Sequence, residues 1–411
     1  MTLVFRESLT GRSRPLPRPV GRPLTMYVCG PTIYDRAHVG HGRNYLYFDL
    51  LRRYFRDRGQ EVRHVMNITD YEDKISERAA SLGLTWRELA RREERRFLAD
   101  FRRLGLLPPH EIPRASSFVG AMVRYAEALT RTGRTSWDGD ELYYAPDPST
   151  DARNFPVGRE LSEHAVLEPN IPPPGEDSRA RRVLLFRRQT PPAASWGSPW
   201  GRGAPGWTLE CYAMAHRYLG VPVDLHGGGM DLIFPHHYSE NAVSLTLDGH
   251  PFARRFLYTG FVTQGGHKMS KSVGNLVSLA DALDRYGATA FRWYVLTPRY
   301  NARLEWDDDD AARAKVEVEE FRRRVRWTVE AGQGGTLRLS ELDRLVARVL
   351  HRLEDGFGVD GVFEELRGWS DRIAHAPVPR FERGAASAAR GKYRRLERLL
   401  GLDLTGPGGP E

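Results

Sequence analysis

Apolar residues in the first part of the chain alternate between two spacings. Residues 24–29 form a short apolar run that ends in the Gly-Pro-Thr sequence of residues 30–32, which is typical of a buried strand followed by a turn. Residues 42–56 carry apolar side chains at helical spacing, and residues 62–68 form a second apolar run. This order of strand, helix and strand predicts a parallel crossover unit, the opening of a doubly wound parallel α/β sheet.

The same alternation returns later in the chain. A helical pattern covers residues 210–219, an apolar run covers 222–225, a turn and a helix cover 227–247, and a last apolar run covers 256–262. These elements predict a second parallel half that completes the sheet.

The sequence between the two halves is of two kinds. Residues 79–134 are charged and have helical spacing, with Leu89 and Phe97 among the positions expected to be buried. Residues 146–199 carry many prolines and an arginine cluster with little periodicity, which predicts an irregular insertion.

Beyond residue 307 the pattern is helical, with Val316, Phe321 and Val325 at roughly helical spacing. A glycine-rich piece at 331–336 separates two helical blocks. We therefore predict an α/β domain over 1–305 that contains the insertion, an α-helical bundle over 306–405, and a frayed tail over 406–411.

Composition narrows the classes of protein that remain. The 411 residues are 40% hydrophobic and 28% charged, as in globular proteins. The two cysteines exclude a disulfide framework and are better explained as thiols or metal ligands. No run approaches the roughly 20 apolar residues that a membrane helix needs, so a cytoplasmic protein is expected. The net charge of +8 suits a polyanionic partner such as a nucleotide or RNA.

Two histidines flank a glycine directly after the first predicted strand. Helix N-termini attract phosphate, and His38 and His41 stand where the next predicted helix starts. Both can donate hydrogen bonds to charge that develops on a phosphate, while Gly40 lets a nucleotide approach the backbone closely. The pattern predicts a nucleotide-binding site.

A glycine-flanked loop with two lysines follows the last predicted strand. Lys268 and Lys271 stand on either side of Ser270 in the sequence Lys-Met-Ser-Lys-Ser. Such a loop can close over a triphosphate and stabilise the departing pyrophosphate. In this order, and on opposite halves of an α/β sheet, the two motifs resemble the paired signature of class I aminoacyl-tRNA synthetases.

Longer motifs resemble the cysteinyl-tRNA synthetase family. They occupy residues 26–35, 38–43, 67–70, 196–201, 205–211 and 224–237. The resemblance implies a Rossmann-like class I catalytic domain followed by a helical bundle. It also implies a ligase that activates L-cysteine with ATP and Mg²⁺ and transfers the cysteinyl group to tRNA(Cys).

The resemblance further implies one zinc ion held by Cys29, Cys211, His236 and Glu240. Two thiolates, an imidazole and a carboxylate make a plausible zinc shell, and the last two residues are four apart, on one face of a helix. In the family the metal binds the substrate thiolate directly. Serine is then rejected, because an alcohol is a poor replacement for a thiolate on zinc.

Other positions follow from the same resemblance. The residues expected around cysteine are Gly30, Thr32, Thr69, Trp207, His226 and Asp231. Those expected at ATP or the adenylate are Gly40, Asn44, Gly229, Asp231 and Val262, together with Lys268 and Ser270. His38, His41, Lys268 and Lys271 are the expected catalytic residues.

The sequence leaves two candidates for the acceptor of the cysteinyl group, a tRNA and a small amine. Members of the family usually continue into an anticodon-binding domain, so we expect a truncated form here. A monomer is expected rather than an oligomer. A related cysteine ligase of mycothiol biosynthesis is truncated in the same way and acts on a small amine, glucosaminyl-inositol. Chain length and the dipeptide His267-Lys268 favour that ligase, whereas residues 42–44, residues 73–75 and His226 favour the synthetase. A catalytically inactive nucleic-acid or regulatory binding protein is a third possibility.

Overall fold

The computed structural model describes residues 3–6, 13–16, 18–147, 181–269, 274–329 and 334–406. Its strands are β1 Val4–Arg6, β2 Ser13–Pro15, β3 Leu24–Val28, β4 Val62–Met66, β5 Thr135–Asp138, β6 Glu141–Tyr144, β7 Val183–Arg188, β8 Trp196–Ser198, β9 Gly201–Pro205, β10 Leu225–Gly229, β11 Phe256–Thr259, β12 Val262–Gln264, β13 His267–Lys268 and β14 Leu304–Glu305. Its helices are α1 Val39–Asp57, α2 Asp73–Ser81, α3 Trp86–Arg103, α4 Val119–Thr130, α5 Trp207–Tyr218, α6 Tyr238–Leu247, α7 Leu279–Tyr286, α8 Ala288–Leu296, α9 Asp308–Val329, α10 Leu339–Glu354, α11 Val359–Ala374 and α12 Ala386–Leu400.

Four parallel strands form the central sheet in the order β4-β3-β10-β11. The chain passes from β3 through α1 to β4 on one side, and from β10 through α6 to β11 on the other side. The order therefore reverses between β3 and β10, and ligands of such sheets bind in the crevice at the carboxyl ends of these strands. The predicted doubly wound parallel sheet is confirmed.

The strand predicted over 222–225 is shifted along the chain and runs over Leu225–Gly229. Gly227 lets helix α1 approach the sheet, because a Cβ atom there would lie 2.3 Å from the ring of Phe48, and a Cβ atom on Gly228 would lie 2.5 Å from Leu232. Close packing, rather than strand propensity, explains three consecutive glycines in a buried strand.

An antiparallel sheet with the order β5-β6-β7-β9-β8 stands between the two halves. The predicted irregular insertion over 146–199 is therefore wrong at Val183–Arg188 and at Trp196–Ser198, which are paired strands. Leu185 and Phe186 are buried there, while the arginines that hid the pattern lie at the strand end, where Arg188 stacks on Trp137. Residues 148–180 of the insertion lie outside the described residues.

Helices α9 to α12 form the predicted helical block beyond residue 307. One hydrophobic cluster joins them to the central sheet, because Leu46 of α1, Trp293 of α8, Phe321 of α9 and Tyr393 of α12 belong to the same core. The border at 305 and 306 stays a prediction, since no break in packing marks it among the described residues. The tail beyond residue 406 lies outside them.

Buried charges also connect the bundle to α1. Asp49 accepts hydrogen bonds from Arg53 and from the fully buried Arg292, each at 2.8 Å. Arg53 donates in turn to the carbonyl of Arg398, and Arg292 to that of Leu400, at the end of α12. No helix among the described residues is long and apolar enough to cross a membrane.

Candidate active site

The sequence-predicted residues converge on the carboxyl edge of the central sheet. Cys29 directly follows β3, Thr69 lies just beyond β4, and Gly229 ends β10. Thr69 pairs with Thr32 through a short parallel bridge that extends the β3 and β4 pairing. These positions surround the point at which the strand order reverses.

Four buried side chains there form a compact cluster. The ligand atoms of Cys29, Cys211, His236 and Glu240 all lie within 4.8 Å of one another. The two sulfur atoms are 3.8 Å apart, and His236 Nε2 is 3.2 Å from Glu240 Oε1. Helix α5 supplies Cys211, and the bent segment Ile233–His237 with the first turn of α6 supplies the other two.

The geometry and chemistry of this cluster fit a zinc ion. Two Zn–S bonds of about 2.3 Å at a tetrahedral angle place their sulfurs about 3.8 Å apart, and the observed separation is 3.8 Å. Both ring nitrogens of His236 and Oε1 of Glu240 are buried, and none of them has a hydrogen-bond partner among the residues that the structure describes. Buried polar atoms are rarely left in this state, and a metal ion would satisfy them.

The thiols of the cluster differ in acidity. Burial alone would raise the pKa of Cys211, but the hydrogen bond with Cys29 and the nearby His236 lower it to about 6. Burial and the neighbouring Cys211 hold the pKa of Cys29 well above its usual value. The pKa of His236 is raised, because the charges of Glu240 and Cys211 outweigh the opposing effect of burial. Of the two thiols, that of Cys211 is therefore the more readily deprotonated.

Aromatic and imidazole rings fix the orientation of these ligands. Trp207 stacks on His236 with ring centres 4.0 Å apart and an interplanar angle of 15°. His226 is fully buried, with Nε2 2.7 Å from Glu240 Oε2 and Nδ1 3.0 Å from the carbonyl of Tyr27. The structure therefore places His226 behind the ligand carboxylate, and its contact with a substrate carboxylate stays a prediction.

Sequence reasoning missed His237. Its Nε2 lies 3.3 Å from Cys29 Sγ, its Nδ1 lies 2.8 Å from the hydroxyl of Tyr258, and its ring lies against that of His226. The ring is fully buried. The two consecutive histidines are the only signal for it in the sequence. Adjacent residues of a helix point in different directions, so helical geometry predicts that His237 faces away from the ligands when His236 faces them.

A second hydrogen-bonded group lies beside the thiols. The backbone N–H of Gly30 donates to Asn67 Oδ1 at 2.8 Å, and Asn67 Nδ2 donates to the Thr69 hydroxyl at 3.3 Å. The Thr69 hydroxyl donates to Glu210 Oε2 at 2.9 Å. A side chain at position 30 could not fit, because its Cβ would lie 1.6 Å from the carbonyl oxygen of Asn67.

The two histidines of the first motif cap helix α1. His38 Nδ1 accepts from the N–H of Gly40 at 3.1 Å, and His41 Nδ1 accepts from the N–H of His38 at 3.2 Å. Because Nδ1 is an acceptor in both rings, the proton of each neutral imidazole is on Nε2. Two Nε2–H donors therefore stand at the positive end of a helix of 19 residues.

The lysine loop starts and ends beside this helix terminus. A backbone bridge pairs His38 with Ser278, just after the loop, and β12 places Val262 beside Gly40. Strand β13 carries the backbone of Lys268, which pairs with Thr263. Ser270 and Lys271 lie outside the described residues.

The remaining predicted positions line the end of β10 and α1. Thr259 at the end of β11 donates to Asn44 Oδ1 at 2.7 Å. Asp231 stands in the turn after β10, so close that a Cβ atom on Gly229 would lie 2.4 Å from its Oδ1. These contacts place Asn44 at the carboxyl end of β11 and Asp231 at that of β10.

Known proteins share this sequence and this fold. Residues 18–316 match the family described as tRNA synthetases class I (C) catalytic domain. The chain is 35% identical over 372 residues to a cysteine--tRNA ligase of Aeropyrum pernix, over 87% of this chain and 77% of that protein.

Solved structures extend the likeness of the fold over almost the whole chain. A leucyl-tRNA synthetase from Agrobacterium radiobacter K84, in a complex with tRNA, aligns with a TM-score of 0.67 at 12% identity and covers 94% of this chain and 84% of its own. A Mycobacterium tuberculosis methionyl-tRNA synthetase aligns with a TM-score of 0.65 at 15% identity, over 92% of each chain. These structures show the likeness of the fold. The family match and the Aeropyrum relative establish that the chain belongs to the family of tRNA synthetases class I (C).

Proposed function

We propose that the protein activates L-cysteine with ATP and transfers the cysteinyl group to tRNA(Cys). The observation that carries this proposal is the cluster of Cys29, Cys211, His236 and Glu240, with sulfurs 3.8 Å apart. It lies at the carboxyl edge of the sheet, on which the capped start of α1 also stands. The cysteine--tRNA ligase relative supports the same assignment.

The four side chains would hold zinc, which when bound supplies a Lewis acid for the thiolate of the substrate. Cysteine is thereby separated from serine, whose hydroxyl stays protonated at neutral pH and is a poor ligand. Trp207 keeps the His236 ring in place, and His226 does the same for Glu240. Selection of the amino acid then needs no later editing step.

The chain's own residues carry the adenylation. The substrate carboxylate attacks the α-phosphate of ATP, a P–O bond forms to the carboxylate, and the bond to pyrophosphate breaks. His38 and His41 donate from Nε2 to the charge that builds on the phosphate. Lys268 and Lys271 neutralise the leaving pyrophosphate, whose charge Mg²⁺ would also offset when bound. A ribose hydroxyl of the tRNA then attacks the carbonyl carbon of the adenylate, so that an ester bond forms, the bond to the phosphate breaks, and AMP leaves with the hydroxyl proton.

Pyrophosphate exchange tests the first half-reaction. We expect ATP–pyrophosphate exchange that requires cysteine and is not supported by serine. His41→Asn should lower kcat by about 100-fold or more, as a lost transition-state donor does, whereas His351→Asn, an exposed position on α10, should leave it unchanged. Exchange that ignores cysteine would refute the proposal.

Acceptor assays test the second half-reaction. Purified zinc-loaded protein is given cysteine and ATP with either tRNA(Cys) or glucosaminyl-inositol. Transfer to tRNA, with RNA binding that weakens steeply as salt rises, is the expected result. Transfer to the amine alone would assign the protein to small-molecule ligation and keep the activation site. The proposal also places a monomeric enzyme in the cytoplasm, which sedimentation and cell fractionation can check.

A further inference from the structure

The group formed by Asn67, Thr69 and Glu210 has a hydrogen-bond order that can be worked out atom by atom. All three side chains are almost fully buried. A backbone N–H can only donate, so the Asn67 atom 2.8 Å from the N–H of Gly30 is the amide oxygen. The amide orientation is thereby fixed, and Nδ2 must face the Thr69 hydroxyl, 3.3 Å away.

The direction of the next bond follows from this one. A hydroxyl has one proton and two lone pairs, and the amide of Asn67 occupies one lone pair of Thr69. The Thr69 proton points to Glu210 Oε2, 2.9 Å away. Oε2 can accept that proton whether or not the carboxyl is ionised, because a proton on Oε1 leaves it an acceptor. The hydroxyl of Thr69 therefore has one lone pair left and no proton to offer.

The location of this hydroxyl indicates what it can select. Thr69 is bridged to Thr32, and its partner Asn67 also holds Gly30, next to the metal-ligating Cys29. Glu210 lies on α5 next to Cys211 and one turn after Trp207. A group that has only acceptor capacity, beside the position of a bound thiolate, recognises a hydrogen-bond donor such as an ammonium.

We propose that Glu210 and Asn67 are positioning residues that hold the Thr69 hydroxyl as an acceptor for the α-ammonium of the amino-acid substrate. This inference rests on the proposed function. It adds that selection divides into two parts: the metal cluster reads the thiol, and the Asn67–Thr69–Glu210 group reads the amine. A thiol acid that has no amine should therefore be insensitive to the second group.

The test compares L-cysteine with 3-mercaptopropionate, which keeps the thiol and the carboxylate and has no amine. In Glu210→Met the acceptor oxygen is lost at nearly constant volume, so we expect the KM of cysteine to rise about tenfold, the effect of one lost hydrogen bond. The kcat and the inhibition constant of 3-mercaptopropionate should stay within about twofold, since those report the thiol site and the chemistry. Glu210→Gln keeps an acceptor oxygen and should restore most of the affinity for cysteine.

Two further measurements keep the result interpretable. Bound zinc per chain and the thermal midpoint report whether Glu210→Met is folded. If it is not, Thr69→Val against Thr69→Ser repeats the comparison, because only serine keeps the hydroxyl. An equal change for cysteine and 3-mercaptopropionate, or no change for either, overturns the inference and leaves the proposed function standing. Wild-type protein without cysteine-dependent exchange would instead remove the proposed function, and this inference with it.

Discussion

The buried carboxylate of Asp49 gives a sharp prediction about stability. Its side chain is 3% exposed and faces two guanidinium groups, of which that of Arg292 is fully buried. Burial alone would raise the pKa of Asp49, but the charges of Arg292 and Arg53 hold it below its usual value. Asp49→Asn keeps an oxygen for the N–H of Leu107, at 2.8 Å in the native protein, and among the described residues it removes the only carboxylate that Arg292 contacts.

The expected loss of stability follows from the buried charge of Arg292, which remains when the carboxylate is removed. Removing one partner of a buried ion pair typically costs about 3–5 kcal/mol, because the other charge stays buried. The asparagine amide also places a donor against the donors of Arg53 and Arg292. We therefore expect Asp49→Asn to lower the free energy of unfolding by about 3–5 kcal/mol.

Urea unfolding followed by tryptophan fluorescence measures this loss. Asp284→Asn is the matched control, because Asp284 is 69% exposed and pairs with Arg103 at the surface, where such pairs contribute about 0–1 kcal/mol. The pKa of Asp49 is depressed in the folded protein, so its contribution is present above the unfolded value of about 3.9 and is lost as the pH falls through the folded value. The free energies of unfolding of the wild type and of Asp49→Asn should therefore converge in acid. A loss in Asp49→Asn no larger than in the control would refute the reasoning.

Three other outcomes are expected. Gly401→Ala should destabilise by about 1–3 kcal/mol in urea unfolding, since Gly401 has φ +68° and a Cβ there would lie 2.3 Å from Arg292 Nη1. His64→Phe should flatten the loss of stability between pH 6.5 and about 3, because burial first, and then Arg52 and His110, lower the pKa of His64 to about 3, so that the unfolded chain takes up the proton earlier. Cys211→Ala should abolish bound zinc measured by atomic emission, and the thermal shift that a chelator causes in the wild type should vanish with it.

The sequence predicts helices and strands best where the spacing of apolar residues matches the face that the fold buries. The crossover from β3 through α1 to β4 follows directly from its periodicity, and Leu89 and Phe97 are buried as expected. Val316 shows the limit of the same reasoning, because its helical spacing holds while the side chain is 63% exposed and Val318 faces the core instead. Spacing defines a stripe on a helix, but the packing of neighbouring helices decides which stripe is covered.

The candidate site divides in the same way. His236 and Glu240 are four residues apart, so helical spacing alone predicts that they lie close together. The contacts of His237 with Cys29 and of Glu210 with Thr69 join segments that are 208 and 141 residues apart. Such pairs depend on how sheet and helices dock, and no local pattern contains them. Proline and arginine likewise mask β7 and β8, whose strand character comes from pairing with distant partners.

Strand β3 can pair with β10 only after the ribosome has synthesised β10. Met26 in β3 pairs with Leu225, so this edge of the first half of the sheet has no partner strand until the 199 residues from Tyr27 to Leu225 have been added. At about 5–20 residues per second this wait is roughly 10–40 seconds. Throughout that time β3 is an open edge strand, the kind of surface on which chains aggregate. We therefore expect a chaperone that covers this edge during synthesis to raise the yield of folded protein.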